Sequence, residues 1–370
     1  MSMFRQSRHP MVRWWWEMDR PAVAIIIALM LIGVVAVSTA SVAVAKTYSV
    51  GPYYFALRQM LYAFCALGIM LTMSTLNNTA IKRMALLIFL LAFVGTLLTF
   101  VFGVEVKGAR RWLDIAGQSI QPTEFVKPAL IVLTAWLLED GRRSVRLRGF
   151  MASIVLISMV GIPVLLQPNF GMVLAMGSVW FAQVFMAGMP LLWLVPLMGG
   201  GVLVTLLAYL MFAHVRDRVE RFLNPAGSDT YQVDQAMDAI MSGHLFGRGA
   251  GEGVVKHTLP DAHTDFIFPV IIEEFGIFAG MVILSLFGLL VWRGFQRLVN
   301  QEDRFMLLAG GGLLTLVALH VCVNMGVSLQ VIPTTGMTLP FISYGGSSSF
   351  AMAIVFGFLL AMLRRKKSIL

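Results

Sequence analysis

The sequence predicts an all-α polytopic membrane protein, with ten transmembrane helices and a large outer loop between the seventh and eighth. Three observations carry this expectation. The chain of 370 residues is 58% hydrophobic and only 13% charged, against about 45–50% and about 25% in a typical soluble domain. Its mean hydropathy is +0.81. The apolar residues gather in ten runs, most of them near the roughly 20 residues that a helix needs to cross a bilayer. The basic residues fall mainly in alternate gaps between these runs, as the positive-inside rule requires.

Residues 1–20, "MSMFRQSRHPMVRWWWEMDR", read as a basic cytoplasmic tail with Trp14, Trp15 and Trp16 anchored at the membrane interface. The apolar run that follows is too long for the core of a signal peptide. The ten predicted spans are 21–44, 54–74, 84–103, 123–138, 150–167, 170–187, 190–212, 267–292, 305–327 and 346–363. The fourth and fifth are short. Residues 21–363 thus form one membrane domain, and 364–370 a basic cytoplasmic tail.

Charge placement sets the orientation. With the N-terminus inside, the inner segments hold Arg5, Arg8, Arg13 and Arg20, then Lys82 and Arg83, then Arg142, Arg143, Arg146 and Arg148. Arg293, Arg297 and Arg304 follow, and Arg364, Arg365, Lys366 and Lys367 close the chain, so 17 of the 28 Lys and Arg are inside. Both termini are then cytoplasmic. The remaining eleven are Lys46, Arg58, Lys107, Arg110, Arg111, Lys127, Arg216, Arg218, Arg221, Arg248 and Lys256. All lie outside or near an outer helix end, against the rule, which points to an anionic ligand there. The net charge of +9 does not signal nucleic acid, because the cations are scattered among short loops. Cys65 and Cys322 lie in apolar runs and read as buried small hydrophobes, not a disulfide. The six histidines show no zinc-site spacing.

Three outer segments are long enough to carry function: 104–122, 213–266 and 328–345. The first contains "KGARRW", where Lys107, Arg110 and Arg111 stand beside Trp112. Arginine grips phosphate oxygens with a two-pronged fork, so a phosphate or pyrophosphate group is a natural ligand. Anchorage to anionic lipid headgroups is the plainer alternative. In "IQPTEFVK", Pro122 suits a first helical turn, and Glu124 is favoured near the positive helix end. Glu124 and Lys127 share a face at i, i+3. They read as a local ion pair or, since ionisable groups inside a membrane usually face a cavity, as cavity residues. Arg58, early in the second span, either snorkels to the interface or faces the same cavity.

"QPNFG", 167–171, reads as a tight outer hairpin. "QVIPTTGMTLPFISYGGSSS", 330–349, is irregular and polar, which is tolerated near a membrane only where protein or water satisfies the backbone. In "PDAHTDFIF", His263, Thr264 and Asp265 stand at the mouth of the eighth span. Thr264 or Asp265 can cap that helix. Alternatively Asp265 is a general base, able to take a hydroxyl proton at a pocket's rim. Glu273 and Glu274 lie roughly 12–14 Å deeper by helical rise, and at least one must face the protein interior.

The blocks "KGARRW", "IQPTEFVK", "QPNFG", "AHTDFIF", "EEFG" and "GMTLPFISYGGSS", in this order over residues 105–350, resemble the signature of the SEDS family (shape, elongation, division and sporulation proteins). The last block and the Trp-rich basic start resemble the division branch more than the elongation branch. The resemblance implies a peptidoglycan glycosyltransferase that polymerises lipid II, an undecaprenyl-pyrophosphate-linked disaccharide-pentapeptide, at the outer face of the bacterial plasma membrane during septal synthesis. It implies a class B penicillin-binding protein and other division proteins as partners, with the growing glycan strand and membrane lipids as contacts. Asp265, Glu124 and Lys127 match the family's catalytic positions. Arg111, Arg110, Lys107, Arg58, Gln121, His263 and Ser343 are the expected substrate-binding residues, and Gln59 matches a family position beside Arg58. A divalent cation such as Mg²⁺ or Mn²⁺ can assist such chemistry, but no dedicated ligand set is visible. Asn169 stands where the family's "QPDxG" has a carboxylate, His244 interrupts a usual Gly-Gly pair, and "YQVDQAMDAI" lacks the usual Gln-Ser pair. A flippase or other lipid transporter is the rival reading. It is disfavoured because the polar residues gather at outer helix ends rather than at the midplane.

Overall fold

The computed structural model describes residues 10–47, 49–106, 108–115, 117–140, 143–224 and 230–364. Lys107 lies outside the described residues, as do Arg5, Arg8, Arg142 and the terminal Arg365, Lys366 and Lys367.

The chain folds as α1 (Pro10–Glu17), α2 (Arg20–Thr47), α3 (Tyr54–Met73) and α4 (Asn78–Phe102), then three strands, β1 (Val104–Val106), β2 (Ala109–Ile115) and β3 (Gln118–Ile120). There follow α5 (Pro122–Leu138), α6 (Arg143–Leu166), α7 (Phe170–Met186), α8 (Leu191–Met211), α9 (Ala213–Leu223) and α10 (Tyr231–Gly243). The last three are α11 (Ile267–Val299), α12 (Arg304–Ser328) and α13 (Gly346–Met362). Each of the ten apolar runs is a helix. Among the described residues, six helices are long and apolar enough to cross a membrane, or seven if α8 and α9, bent by 101° at Phe212, form one broken span. The chain is a multi-pass membrane protein.

Apolar side chains face outward as well as inward. Leu87, Leu90, Leu91 and Val94 of α4 are exposed, as expected of helices whose outer faces meet lipid rather than water. The interior is built on α5, α12 and α13, whose side chains are buried almost throughout. The fully buried Asp19 holds Arg293 at 3.0 Å and Arg297 at 2.8 Å, tying the start of α2 to α11.

Three expectations are corrected. The fold is not purely helical: residues 104–120 form a three-stranded antiparallel sheet in the order β1-β2-β3. Its turns carry Gly108 and Gly117, both at φ +74, and its strands are too short for a clear alternation of apolar and polar residues. Cys65 and Cys322 are free, as expected, but exposed. They lie on the outside of the bundle, where lipid supplies the apolar surroundings. Neither Thr264 nor Asp265 caps α11, whose N-cap is Phe266 with no side-chain cap bond. The Thr264 hydroxyl donates instead to the Asp261 carbonyl.

The long segment 213–266 carries α9, α10 and a 3₁₀ turn at Val255–His257. Its anchor is a break in α11. Gly276 adopts φ 82, ψ 172, which interrupts the helix, and a Cβ there would come 2.2 Å from the Leu245 carbonyl oxygen. Only glycine fits such a backbone and such an approach. The freed groups are satisfied by the loop: the Ile277 amide donates to the His244 carbonyl at 3.1 Å, and the Arg248 amide to the Glu273 carbonyl at 2.9 Å. His244 itself sits at φ 47. Glu273 and Glu274 are both buried and complete the anchor. The Glu273 carboxylate accepts from the amides of Val254, Val255 and Lys256 at 2.6–3.2 Å, and Glu274 pairs with the Lys256 ammonium at 2.5 Å. The loop's end is thereby fixed, which places Asp265.

Candidate active site

Asp265 immediately precedes the N-cap of α11, half-buried in the turn 261–266. Its backbone carbonyl accepts from Asn324 Nδ2 of α12 at 2.8 Å, and the same amide group donates to the Met337 carbonyl at 2.8 Å. Gly336 lies against the carboxylate, since a Cβ there would stand 3.6 Å from Oδ2. The irregular segment 329–345 therefore forms one wall beside Asp265, as its polarity suggested.

Facing this carboxylate is a cation that motif reading did not single out. The sharp bend at Phe212 turns α9 by 101° from α8, and Arg218 donates from Nη1 to the Thr334 carbonyl at 3.3 Å. Burial lowers the pKa of Arg218, while the charge of Asp265 raises it. Arg111 joins the group from β2. Its Nε donates to the Gln167 carbonyl at 2.9 Å, and Nη2 to the Pro168 carbonyl. Burial, then the charge of Arg218, pulls its pKa down to about 10. His214, one turn before Arg218, has its pKa lowered by burial and by both arginines, and its buried Nε2 has no partner. Two guanidiniums hydrogen-bonded to backbone carbonyls, with an imidazole beside them, make a positive niche.

A second cluster lies deeper. Glu124 and Lys127 pair at 2.8 Å on α5. Lys127 Nζ is also 3.1 Å from His320 Nε2 of α12, and His320 Nδ1 is 3.0 Å from the Thr338 carbonyl. Thr338 Oγ1 and Ser348 Oγ are 2.6 Å apart, which links the cluster to the first turn of α13. His320 and Asn324 are four residues apart on α12, so the two clusters are separated by about 6 Å of helical rise.

Arg58 belongs to neither cluster. Its guanidinium stacks 4.6 Å from the Tyr54 ring centroid and bonds to Tyr344. It does not face the cavity of Lys127. His263 lies in the same aromatic corner, with ring centroids 5.1 Å from Phe55 and 5.3 Å from Tyr344. Its Nδ1 is buried without a partner, and burial pushes its pKa down to about 4. Burial and Tyr62 push the Tyr344 hydroxyl up to about 12.

The other predicted residues are scattered. Arg110 and Arg111 alternate across β2, so Arg110 is exposed and pairs with Glu105 at 3.4 Å. Ser343 is buried and accepts from the Leu339 amide at 2.8 Å, closing a turn. Gln121 is the N-cap of α5 and its amide donates to Ser347 Oγ at 3.1 Å. Gln59 is buried and reaches the Phe341 carbonyl, and Asn169 is the buried N-cap of α7. Among the described residues, no group of three or more His, Cys, Asp or Glu is placed to hold a metal ion. The Asn324 amide and the Arg218 guanidinium beside Asp265 do not ligate a divalent cation.

Residues 20–368 match the family model described as a cell cycle protein, FtsW/RodA/SpoVE. The chain is 39% identical over 365 residues to a probable peptidoglycan glycosyltransferase FtsW of Caulobacter vibrioides, covering 98% of this chain and 93% of that protein. It is 31% identical to the stage V sporulation protein E of Bacillus subtilis, covering 94% and 97%. Among solved structures it superimposes on a chain of a peptidoglycan synthase complex that coordinates polymerization and crosslinking, with TM-score 0.77, 27% identity and coverage of 94% and 98%. The rod shape determining protein RodA of Thermus thermophilus aligns with TM-score 0.69 and 26% identity, covering 94% and 97%. From Arg20 almost to its C-terminus, the chain belongs to the FtsW/RodA/SpoVE family.

Proposed function

We propose that the outer cluster polymerises lipid II into glycan strands, with Asp265 as general base. The chain is a peptidoglycan glycosyltransferase of the cell-division branch, in line with its relatives. The observation that carries the mechanism is that Asp265 lies within electrostatic reach of Arg218, which in turn lies within reach of Arg111. A sugar hydroxyl of the acceptor attacks the anomeric carbon of the donor. Asp265 takes the hydroxyl proton as the new glycosidic C–O bond forms. The bond from the anomeric carbon to the lipid pyrophosphate breaks, and its electron pair leaves with the phosphate oxygen. Arg218 and Arg111 meet that charge with forked donors already desolvated and in place. The Glu124–Lys127 pair, buried beneath, forms the floor of the pocket and shapes its field. Arg58 and the tyrosines around it give the strand an aromatic wall.

The charge pattern favours ten spans with both termini cytoplasmic and so a site at the outer face of the plasma membrane, and a division role favours the septum. A class B penicillin-binding protein supplies the cross-linking activity. A transport reading finds less support. The polar groups deep between α5, α7 and α12 are occupied with one another: Thr134 donates to Gln183 at 2.7 Å, and Gln183 to the Ile131 carbonyl at 2.8 Å. The cavity lined by Lys127, Thr134 and Gln183 measures about 10 Å³, room for about one water.

The test uses the full chain co-purified with its cross-linking partner, the partner's transpeptidase blocked by a β-lactam. Labelled lipid II supplied in detergent is converted to long glycan strands if the reading holds. Absence of polymer, together with lipid II crossing the bilayer of proteoliposomes, establishes the transporter instead.

A further inference from the structure

Lys127 is buried in the membrane-embedded part of the fold, and its ammonium has two partners rather than one. Glu124, on its own helix, neutralises the charge. His320 comes from α12, and its hydrogen-bonding roles follow from the far side of the ring. The Thr338 carbonyl can only accept, so His320 Nδ1 carries the proton that points to it. Nε2 is then a lone pair, and the Lys127 ammonium donates to it at 3.1 Å. His320 is 1% exposed and Lys127 2%, so no solvent competes for either bond. The imidazole bridges α5 to residue 338 of the wall segment, two residues after Gly336, where a Cβ would stand 3.6 Å from the Asp265 carboxylate. One turn further along α12, Asn324 holds the backbone of Asp265 and Met337.

We infer that His320 is a positioning residue: held at Nδ1 by the Thr338 carbonyl, it accepts from Lys127 at Nε2 and so fixes the ammonium of the buried Glu124–Lys127 pair. This rests on the reading that Lys127 serves the polymerising site. An orienting group of this kind acts on the geometry of the transition state more than on ground-state binding, so its loss appears in kcat rather than KM. His320 thus acts through Lys127, and the two losses are not independent.

Two polar replacements separate the bonds without emptying the site. Gln extends far enough for its carbonyl to accept from Lys127. Asn, one methylene shorter, reaches the Thr338 carbonyl from the position of Nδ1 but falls short of Lys127. The full chain with its cross-linking partner is assayed for lipid II polymerisation as wild type, His320→Gln, His320→Asn, Lys127→Met and the double variant His320→Asn with Lys127→Met, with thermal stability recorded for each. The expected result is a loss of about tenfold or more in kcat for His320→Asn at little-changed KM, activity of His320→Gln within about threefold of wild type, and a double variant no slower than Lys127→Met alone. The inference is overturned if His320→Asn keeps wild-type kcat, if Gln falls as far as Asn at equal thermal stability, or if the double variant shows the product of the two single losses. Full activity of Lys127→Met is a different outcome: it removes Lys127 from the site, and the reading on which the inference stands with it.

Discussion

Arg111 and Arg218 stand close enough that the charge of one lowers the pKa of the other, an arrangement that costs free energy until an anion arrives. Arg218 therefore contributes most when the leaving pyrophosphate gains charge. Arg218→Gln should lower kcat by about 10²-fold, the scale of one lost donor at a developing anion. Arg218→Lys should recover only part of it, because an ammonium cannot fork; the measurement is strand synthesis under saturating lipid II. His263 gives a prediction in pH. Its pKa is pushed from 6.5 down to about 4 by burial, so the folded state holds it neutral while the unfolded chain takes up a proton near pH 6.5. Its contribution to stability is complete above pH 6.5 and declines as pH falls from 6.5 toward 4, by up to about 3 kcal/mol. Melting curves of wild type and His263→Gln across this window should converge in slope above pH 6.5 and differ below it.

The residues that sequence reading missed share a physical cause. Arg218 stood among the basic residues on the wrong side, but its direction depends on the 101° bend at Phe212, which no local pattern marks. His320 and Asn324 carried a usable signal, two polar groups at i, i+4 in an otherwise apolar run, where ionisable or amide groups tend to be functional. Conversely, Arg110 was grouped with Arg111 by proximity in sequence, and the two-residue period of a strand sends them to opposite faces.

At the scale of elements, the helices were legible because the length of an apolar run is itself the constraint that a bilayer imposes. The strands at 104–120 were not, being three to seven residues long and mixed in polarity. The break at Gly276 was hidden because "IFPVIIEEFGIFAG" is apolar on both sides of it. Its purpose appears only with the loop in place: the exposed backbone of α11 binds residues 244–249, while Glu273 and Glu274 bind residues 254–256. Glu274→Gln leaves the Lys256 ammonium buried without its counter-charge, at a cost of about 3–5 kcal/mol. The expected result is a lower melting temperature and faster proteolysis within residues 243–257. Unchanged cleavage would show that the glutamates do not anchor the loop.

At the scale of the whole molecule, the account needs the sheet and the loop 213–266 on one side of the membrane and the α11–α12 connection on the other. In a Cys65→Ala, Cys322→Ala background, Ser119→Cys should react with an impermeant thiol reagent added outside intact cells. Glu302→Cys should react only after permeabilisation. The reverse pattern overturns the orientation and moves Asp265 to the wrong compartment for lipid-linked strand growth. The central claim concerns one carboxylate, and it is tested most directly by Asp265→Asn in the chain co-purified with its cross-linking partner, with polymer formation and lipid II binding measured on the same preparation. The account predicts that binding and melting temperature stay near wild type while strand synthesis falls by at least about 10²-fold. Strand synthesis at the wild-type rate in that variant would contradict it.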